Sequence, residues 1–508
     1  MREMRNAVKI TIALIVFLLA AGILYSCSSQ SGDGENQPRS SEAETESDKI
    51  ESDAPETPKI APDLPEKDLN GEKFTFYVMG YERNVNNYSM EIYAEAENGD
   101  SVNDAVYKRN KTMEEKYNFE VAEFPEKNGS LADSVKKTLL AGDDLYQVFM
   151  MNLRDSASLA NDGFLFDLKN VEHLDLGKPW WDKNSNDGLS ICGKLYFAVG
   201  DINIMDNNAT WAVFFNKKLI KEIGLEMPYA YVQNNGWTLD RYHEMSAAAA
   251  KDLNGDQIMH PDDDQWGTVG DYLNTFMLFI ASGERAIRKD GGDIPYFEMP
   301  NSRALDVLDK VMDIQTDKES TLHANEYSGK YANVYSDMLR RNFKEDRALF
   351  YIAGLLSYTL LRDMESEFGM VPMPKYDSVQ ESYYTTYNYA NASSLSIPVT
   401  NSRLSETGLV VEALAAESMY TLTPAYYSVA LERKYMRDEE SKEMLDIILS
   451  SRIVDLDIIY NWGGSYDLFE RITQQKSRNF TSEFEKIKDK TESEIQKTVD
   501  KISASGQP

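Results

Sequence analysis

Short apolar runs rich in branched and aromatic residues alternate with helix-patterned segments along most of this chain, and that alternation constrains the fold more than any other feature. The run 73–79 (KFTFYVM) reads as a buried strand, 102–117 as a helix, 119–124 as a second strand, 131–140 as a helix ended by Gly142, and 145–151 as a third strand. The rhythm returns with a strand at 211–216, a helix at 217–223 ended by Gly224, and a helix capped by Thr238 and running to about 253. Further helices are expected at 274–282, 302–315, 405–418 and 441–452. Strands alternating with helices predict parallel sheets covered on both faces, here in two α/β lobes. In such a fold a ligand belongs in the crevice at the carboxyl ends of the strands, and between the lobes if they hinge.

The first residues obey different rules. Arg2, Arg5 and Lys9 precede an apolar run from Ile10 to Leu24 that ends in polar sequence, which is the pattern of a secretory signal and too short for a membrane span. Leu24-Tyr25-Ser26-Cys27 resembles the lipobox of bacterial lipoproteins, which implies residues 1–26 as a signal peptide and Cys27 as a diacylated N-terminus. A lipid anchor would hold the protein on the membrane through burial of methylenes at about 0.8 kcal/mol each. Residues 27–70 are rich in Ser, Glu, Asp and Pro and poor in apolar side chains, so a disordered acidic tether is expected there.

Charge removes one class of partner. A formal net charge of −31 argues against nucleic acid, whose phosphates need clustered Lys and Arg. Beyond Cys27 the only cysteine is Cys192, so with Cys27 lipidated no intramolecular disulfide can form. His173, His243, His260 and His323 are scattered without metal-ligand spacing. A secreted glycoside hydrolase would need two carboxylates across a sugar bond, and nothing singles out such a pair; no serine elbow, zinc-binding helix or phosphate loop is present either. No catalytic constellation is visible in the sequence.

Several stretches together are similar to the family 1 extracellular solute-binding proteins of ABC sugar importers, especially the large lipoprotein members. They are 98–110 (NGDSVNDAVYKRN), 178–182 (KPWWD), 193–201 (GKLYFAVGD), 214–220 (FFNKKLI), 236–240 (GWTLD), 252–256 (DLNGD) and 368–375 (FGMVPMPK), and the likeness extends over roughly 73–470. The resemblance implies a type II periplasmic-binding-protein fold. Lobe 1 would hold 71–207 and about 390–450, lobe 2 208–389 and about 451–505, with crossings near 206–208, near 389–394 and before Trp462. It further implies capture of a carbohydrate, most readily an oligosaccharide, by a monomer that closes its hinge and delivers the ligand to ABC permease subunits. A receptor for peptides or other polar solutes, and a surface sensor, are the competing readings.

Sugar recognition needs aromatic platforms for ring faces and planar polar side chains for hydroxyls. Trp211 adjoins the expected hinge and either meets the ligand or packs the lobe junction; Asp201 and Asn203 end the preceding segment, at a strand's carboxyl end where they are expected to face the cleft. Asn152, Arg154 and Asp155 follow the strand ending at Met151, where Asp155 could equally cap a helix. Tyr272 and Asn274 precede a lobe 2 helix, and Trp462 lies in Asn461-Trp462-Gly463-Gly464, where two glycines permit close backbone approach. Trp180 and Trp181 read as structural. Separately, Asp252, Asn254, Asp256 and Asp263 stand at the first, third, fifth and twelfth positions of a calcium loop, although Gln257 replaces the usual glycine and Asp263 is shorter than glutamate. No cofactor is required by this reading, and Ca2+ is the ion such a loop would take.

Overall fold

Strand β1 (Glu72–Met79) forms because Phe74, Phe76, Tyr77, Val78 and Met79 can all be buried at once between two layers of helix. It lies between β2 (Phe119–Glu126) and β3 (Val148–Asn152), parallel to both. Parallel neighbours need crossovers, supplied by the helices Ser101–Tyr117 and Leu131–Ala141. Asp100 caps the first by accepting from the backbone N–H groups of Val102 and Asn103 at 3.1 and 3.0 Å, and Gly142, at φ 77°, ends the second. This computed structural model describes residues 59–431 and 439–504; the expected signal segment, Cys27 and most of the expected tether lie outside them. Among the described residues no helix is long and apolar enough to cross a membrane.

The second sheet is built from β4 (Trp211–Asn216), β5 (Trp266–Gly270), β8 (Thr321–His323), β9 (Ala348–Gly354) and β10 (Phe368–Val371), in the order β10-β4-β9-β5-β8. A hairpin of β6 (Ile287–Lys289) and β7 (Pro295–Phe297) stands apart. Neither large sheet is wholly parallel. β5 runs parallel to β8 and β9, but β4 runs antiparallel to β9 and β10, and β11 (Ser393–Ser396) runs antiparallel to β3 at the edge of the first sheet. The exceptions arise where the chain crosses between lobes and enters a sheet from the other end. The helix capped by Thr238 also stops at Ala249, before 253, because Lys251 leaves it to exchange backbone hydrogen bonds with Gln265 at 2.8 and 3.0 Å.

Three chain segments lie side by side at the lobe junction. Trp211 N–H donates to the Thr386 carbonyl at 3.1 Å and Asn388 N–H to that of Ala209 at 2.8 Å, pairing the first two segments. The third joins through Thr385 N–H to the Ser451 carbonyl and Ile453 N–H to that of Thr385, at 3.0 and 2.9 Å. Arg452 sits at the centre, its guanidinium 2.8 Å from Asp182 and 3.4 Å from Asp206, bonded to Asn207, and over the ring of Tyr387 at 5.6 Å. Burial pushes the Asp206 carboxyl up to about 7 although Arg452 pulls it down; burial lowers the Arg452 guanidinium, but the neighbouring Tyr387, Asp182, Asp206 and Asp201 together outweigh it and leave it raised.

Two boundaries differ from the sequence reading. Residues 59–70 belong to lobe 1: Leu69 is buried, its N–H donates to the Tyr117 carbonyl at 2.8 Å, Lys67 pairs with Glu406 at 2.8 Å, and Ile60 N–H reaches the Tyr420 hydroxyl at 2.7 Å. A pair of leucines, Leu64 and Leu69, gives this otherwise polar stretch enough apolar surface to dock. The helix Glu439–Ser450, expected in lobe 1, packs on β10 of lobe 2. The helix Phe480–Ala504 touches both lobes, through the helix Leu153–Asn161 on one side and β7 and the helix Ser302–Gln315 on the other.

Candidate ligand cleft

A cavity of about 550 Å³ opens at the carboxyl ends of the strands, with walls from both lobes and a floor at the junction. Lobe 1 contributes Asn84, Asn86 and Asn87 from the loop that follows β1. That loop is pinned by Arg109 of the helix Ser101–Tyr117, which is fully buried and donates to the Ile92 carbonyl at 3.2 Å, to Asn110 Oδ1 and to Ser418 Oγ. Burial lowers the Arg109 guanidinium to about 10. The junction supplies Asn208, Trp211, Asn388 and Asn391, and lobe 2 adds Asp271 beyond β5, the end of β9, and a wall from Asn333 to Arg340. Asn333 holds that wall in shape by accepting from the N–H groups of Tyr335 and Ser336 at 2.9 and 3.1 Å.

Asparagine thus dominates the polar lining, with Trp211, Tyr335 and Tyr351 as its aromatic part. Three buried atoms in this lining have no hydrogen-bond partner among the described residues: Asn208 Oδ1, the indole Nε1 of Trp211, and Asp271 Oδ1. Two accept and one donates. A buried polar group left unpaired costs about 1–3 kcal/mol, so these three are open to a polar partner that enters the cleft. Asp271 is buried, and desolvation first, then the nearby Glu470 charge, push its carboxyl up to about 6.

Of the residues expected to bind, Trp211 lines this cleft. Tyr272 and Asn274 flank lining residues: the Tyr272 hydroxyl donates to Glu326 at 3.3 Å, and Asn274 Oδ1 accepts from Asp271 N–H at 2.8 Å while its Nδ2 has no partner among the described residues. Asn152 and Asp155 serve local structure. Asn152 caps its helix by accepting from Asp155 N–H at 3.0 Å, and the Asp155 carboxylate takes Asn152 Nδ2, Ser130 Oγ and Leu131 N–H. Arg154 stacks 3.6 Å over the Tyr389 ring beside the floor, outside the lining. Asp201 accepts from Thr423 Oγ1 at 2.8 Å with its carboxyl raised by burial to about 6, and Asn203 Nδ2 donates to Ser393; both brace the junction.

Trp462 lies away from the cleft. It stacks on Tyr460 at 4.5 Å and donates its indole N–H to Thr498 Oγ1 at 3.0 Å. The close approach that Gly463 allows is to the helix Phe480–Ala504, for a Cβ there would sit 2.2 Å from Thr491 Oγ1. Trp180 and Trp181 are structural, both indoles donating to the Glu412 carboxylate at 3.1 and 3.0 Å. In the expected calcium loop both Asp252 oxygens accept loop N–H groups, from Gly255 and Gln257 at 2.6 and 2.7 Å, Asp256 accepts from Ile258 N–H, and Asp263 pairs with His260. Among the described residues no three His, Cys, Asp or Glu side chains converge as metal ligands.

The asparagines of the cleft are what sequence reasoning passed over. Their signal is visible as Asn84-Val85-Asn86-Asn87, Asn207-Asn208 and Asn388-Tyr389-Ala390-Asn391, each just beyond a strand or at a crossing.

No family model and no curated protein matches this chain. Solved structures do. The sugar-binding protein MalE from Xanthomonas citri superposes with a TM-score of 0.56 at 14% identity, over 84% of this chain and 98% of that one. A cyclo/maltodextrin-binding protein complexed with maltotetraose gives 0.52 at 14% identity, over 86% and 98%. An ABC substrate-binding protein from Listeria monocytogenes in complex with cycloalternan gives 0.50 at 13% identity, over 85% and 98%. At these identities the likeness shows the fold, which is the two-lobed periplasmic-binding-protein fold.

Proposed function

We propose that this protein is an extracytoplasmic carbohydrate receptor that captures an oligosaccharide between its lobes and presents it to an ABC permease. The carrying observation is the cleft itself, where asparagines from both lobes and the junction surround three orphaned polar atoms and the Trp211 ring. A primary amide offers two donors and an acceptor in one plane, which matches the adjacent hydroxyls of a sugar, and an indole or phenol covers its apolar face. A cavity of about 550 Å³ suits a small ligand. The MalE protein of Xanthomonas citri is a sugar-binding protein and the cyclo/maltodextrin-binding protein was solved with maltotetraose, which supports the same class here.

The working cycle is lobe closure. A ligand held first by one lobe gains contacts from the other only when the lobes approach, so its differential affinity draws the population to the closed state. The apolar signal-like run and Cys27 support export and a lipid anchor on the outer face of the cell membrane. A lining with amides and a single carboxylate, Asp271, in place of a facing acid pair supports delivery of the ligand unchanged over hydrolysis.

The test is calorimetric titration of the full chain with neutral and acidic di- to hexasaccharides. A saccharide that binds and is recovered intact, with affinity reduced at least tenfold by Trp211→Ala or Asn208→Ala at unchanged circular dichroism, supports the reading. Binding of peptides alone, or release of shortened sugar, overturns it.

A further inference from the structure

Arg340 lines the cleft, is half-buried, and makes no ion pair or hydrogen bond among the described residues. The chain carries 84 acidic and 53 basic side chains, so an acid for each cation is in ample supply. Every other cation on the same stretch has its acid: Arg341 bonds Asp262, Lys344 lies 2.6 Å from Asp363, and Arg347 2.7 Å from Glu345. Arg340 is also firmly mounted, because it ends the widened turn Tyr335–Arg340, whose Met338 and Leu339 are buried in the lobe 2 core. Widened turns of this kind are rare overall and frequent at functional sites. Asp337, on the same turn, does not answer it at close range, since its two oxygens take Asn333 N–H at 2.9 Å and Ser336 Oγ at 2.7 Å.

Resting on the saccharide reading above, we propose that the cleft selects a sugar carrying a carboxylate, such as a uronate unit, with Arg340 as the fork that receives it. A guanidinium presents two parallel N–H groups that match a carboxylate, and in a partly desolvated wall such a pair is stronger than a neutral hydrogen bond. The only other charged group in the lining is Asp271, whose orphaned Oδ1 suits a sugar hydroxyl. A doubly charged phosphate would meet one cation against Asp271 and the nearby Glu470; a carboxylate meets the same acids with half the charge, which Arg340 matches one to one.

The experiment titrates the full chain calorimetrically with galacturonate- and glucuronate-containing di- to tetrasaccharides, and with the same saccharides after carboxyl reduction to neutral sugars. At least one acidic member binds tenfold or more tighter than its reduced form, that ratio shrinks as salt rises, and Arg340→Gln brings it to near one while Arg340→Lys retains part of it. Neutral sugars binding as well as their acidic forms, or a preference that survives Arg340→Gln in a protein that melts normally, would overturn Arg340 selectivity and leave the saccharide reading standing. Failure of both series to bind would remove both.

Discussion

Replacing Arg452 by leucine removes the one cation shared by Asp182 and Asp206 at the lobe junction. Both side chains are enclosed, with 12% and 1% of their surface exposed, and the guanidinium stands 2.8 and 3.4 Å from them. Breaking a buried pair by deleting one partner costs about 3–5 kcal/mol, because the remaining charge keeps its desolvation penalty and loses its compensation. The deficit carries a pH signature. The Asp206 carboxyl already lies at about 7 in the folded protein, above its ordinary 3.8, so its burial favours folding at low pH and that contribution is lost as pH rises toward 7. Without Arg452, whose charge lowers it, Asp206 moves higher still, and the variant suffers most where the carboxylate would be ionised. Urea unfolding followed by tryptophan fluorescence at pH 5, 7 and 8 is the assay, with an unchanged slope against denaturant as the control. The expected loss is about 3–5 kcal/mol at pH 8 and clearly smaller at pH 5. A loss below about 1 kcal/mol, typical of an exposed ion pair, or one flat across this range would refute the account.

Other parts of the molecule make independent predictions. Gly463→Ala places a Cβ 2.2 Å from Thr491 Oγ1 and 2.8 Å from its backbone N at φ 68°, so a stability loss above about 2 kcal/mol and faster amide exchange along Phe480–Ala504 are expected; a neutral substitution would mean the helix moves freely. Glu412→Gln leaves one of two indole N–H groups without an acceptor, a loss of about 1–3 kcal/mol. Burial puts the Glu412 carboxyl at about 7, above its ordinary 4.5, so the wild type loses stability as pH rises from 4.5 toward 7, the glutamine variant does not, and the gap between their melting curves narrows over that window. Millimolar Ca2+ should leave the melting temperature unchanged, because Asp252 is committed to the N–H groups of Gly255 and Gln257; a rise of several degrees would show that the loop reorganises around the ion.

The architecture was legible because it rests on local signals. The runs at 73–79 and 211–216 have no polar face to expose, and caps such as Thr238, Gly142 and Gly224 act within one turn of chain. What the sequence could not supply was pairing at a distance. Nothing in Trp462-Gly463-Gly464 says that the glycine admits Thr491, and nothing in Asn152 and Asp155 distinguishes a helix cap from a ligand contact, since both use the same atoms. The cleft was harder still. Its lining comes from loops after β1 and β5, the turn before β9 and two crossings, and all of these but the loop after β5 carry one to three ordinary asparagines whose convergence exists only in three dimensions. Trp211 was accessible to reasoning because it sits where a strand and a crossing coincide.

The junction of three adjacent segments has a mechanical meaning. Two bodies joined by one linker can twist, splay and slide, and most of those arrangements bring the wrong surfaces face to face. Segments that are hydrogen-bonded to each other at Trp211, Thr385 and Ile453 must bend together, which leaves rotation about a single axis as the soft motion. Apparent affinity falls by whatever fraction of the population is badly oriented for closure. For a protein that captures its ligand by lobe closure, as proposed above, a laced junction keeps that fraction small, so little affinity is lost to searching.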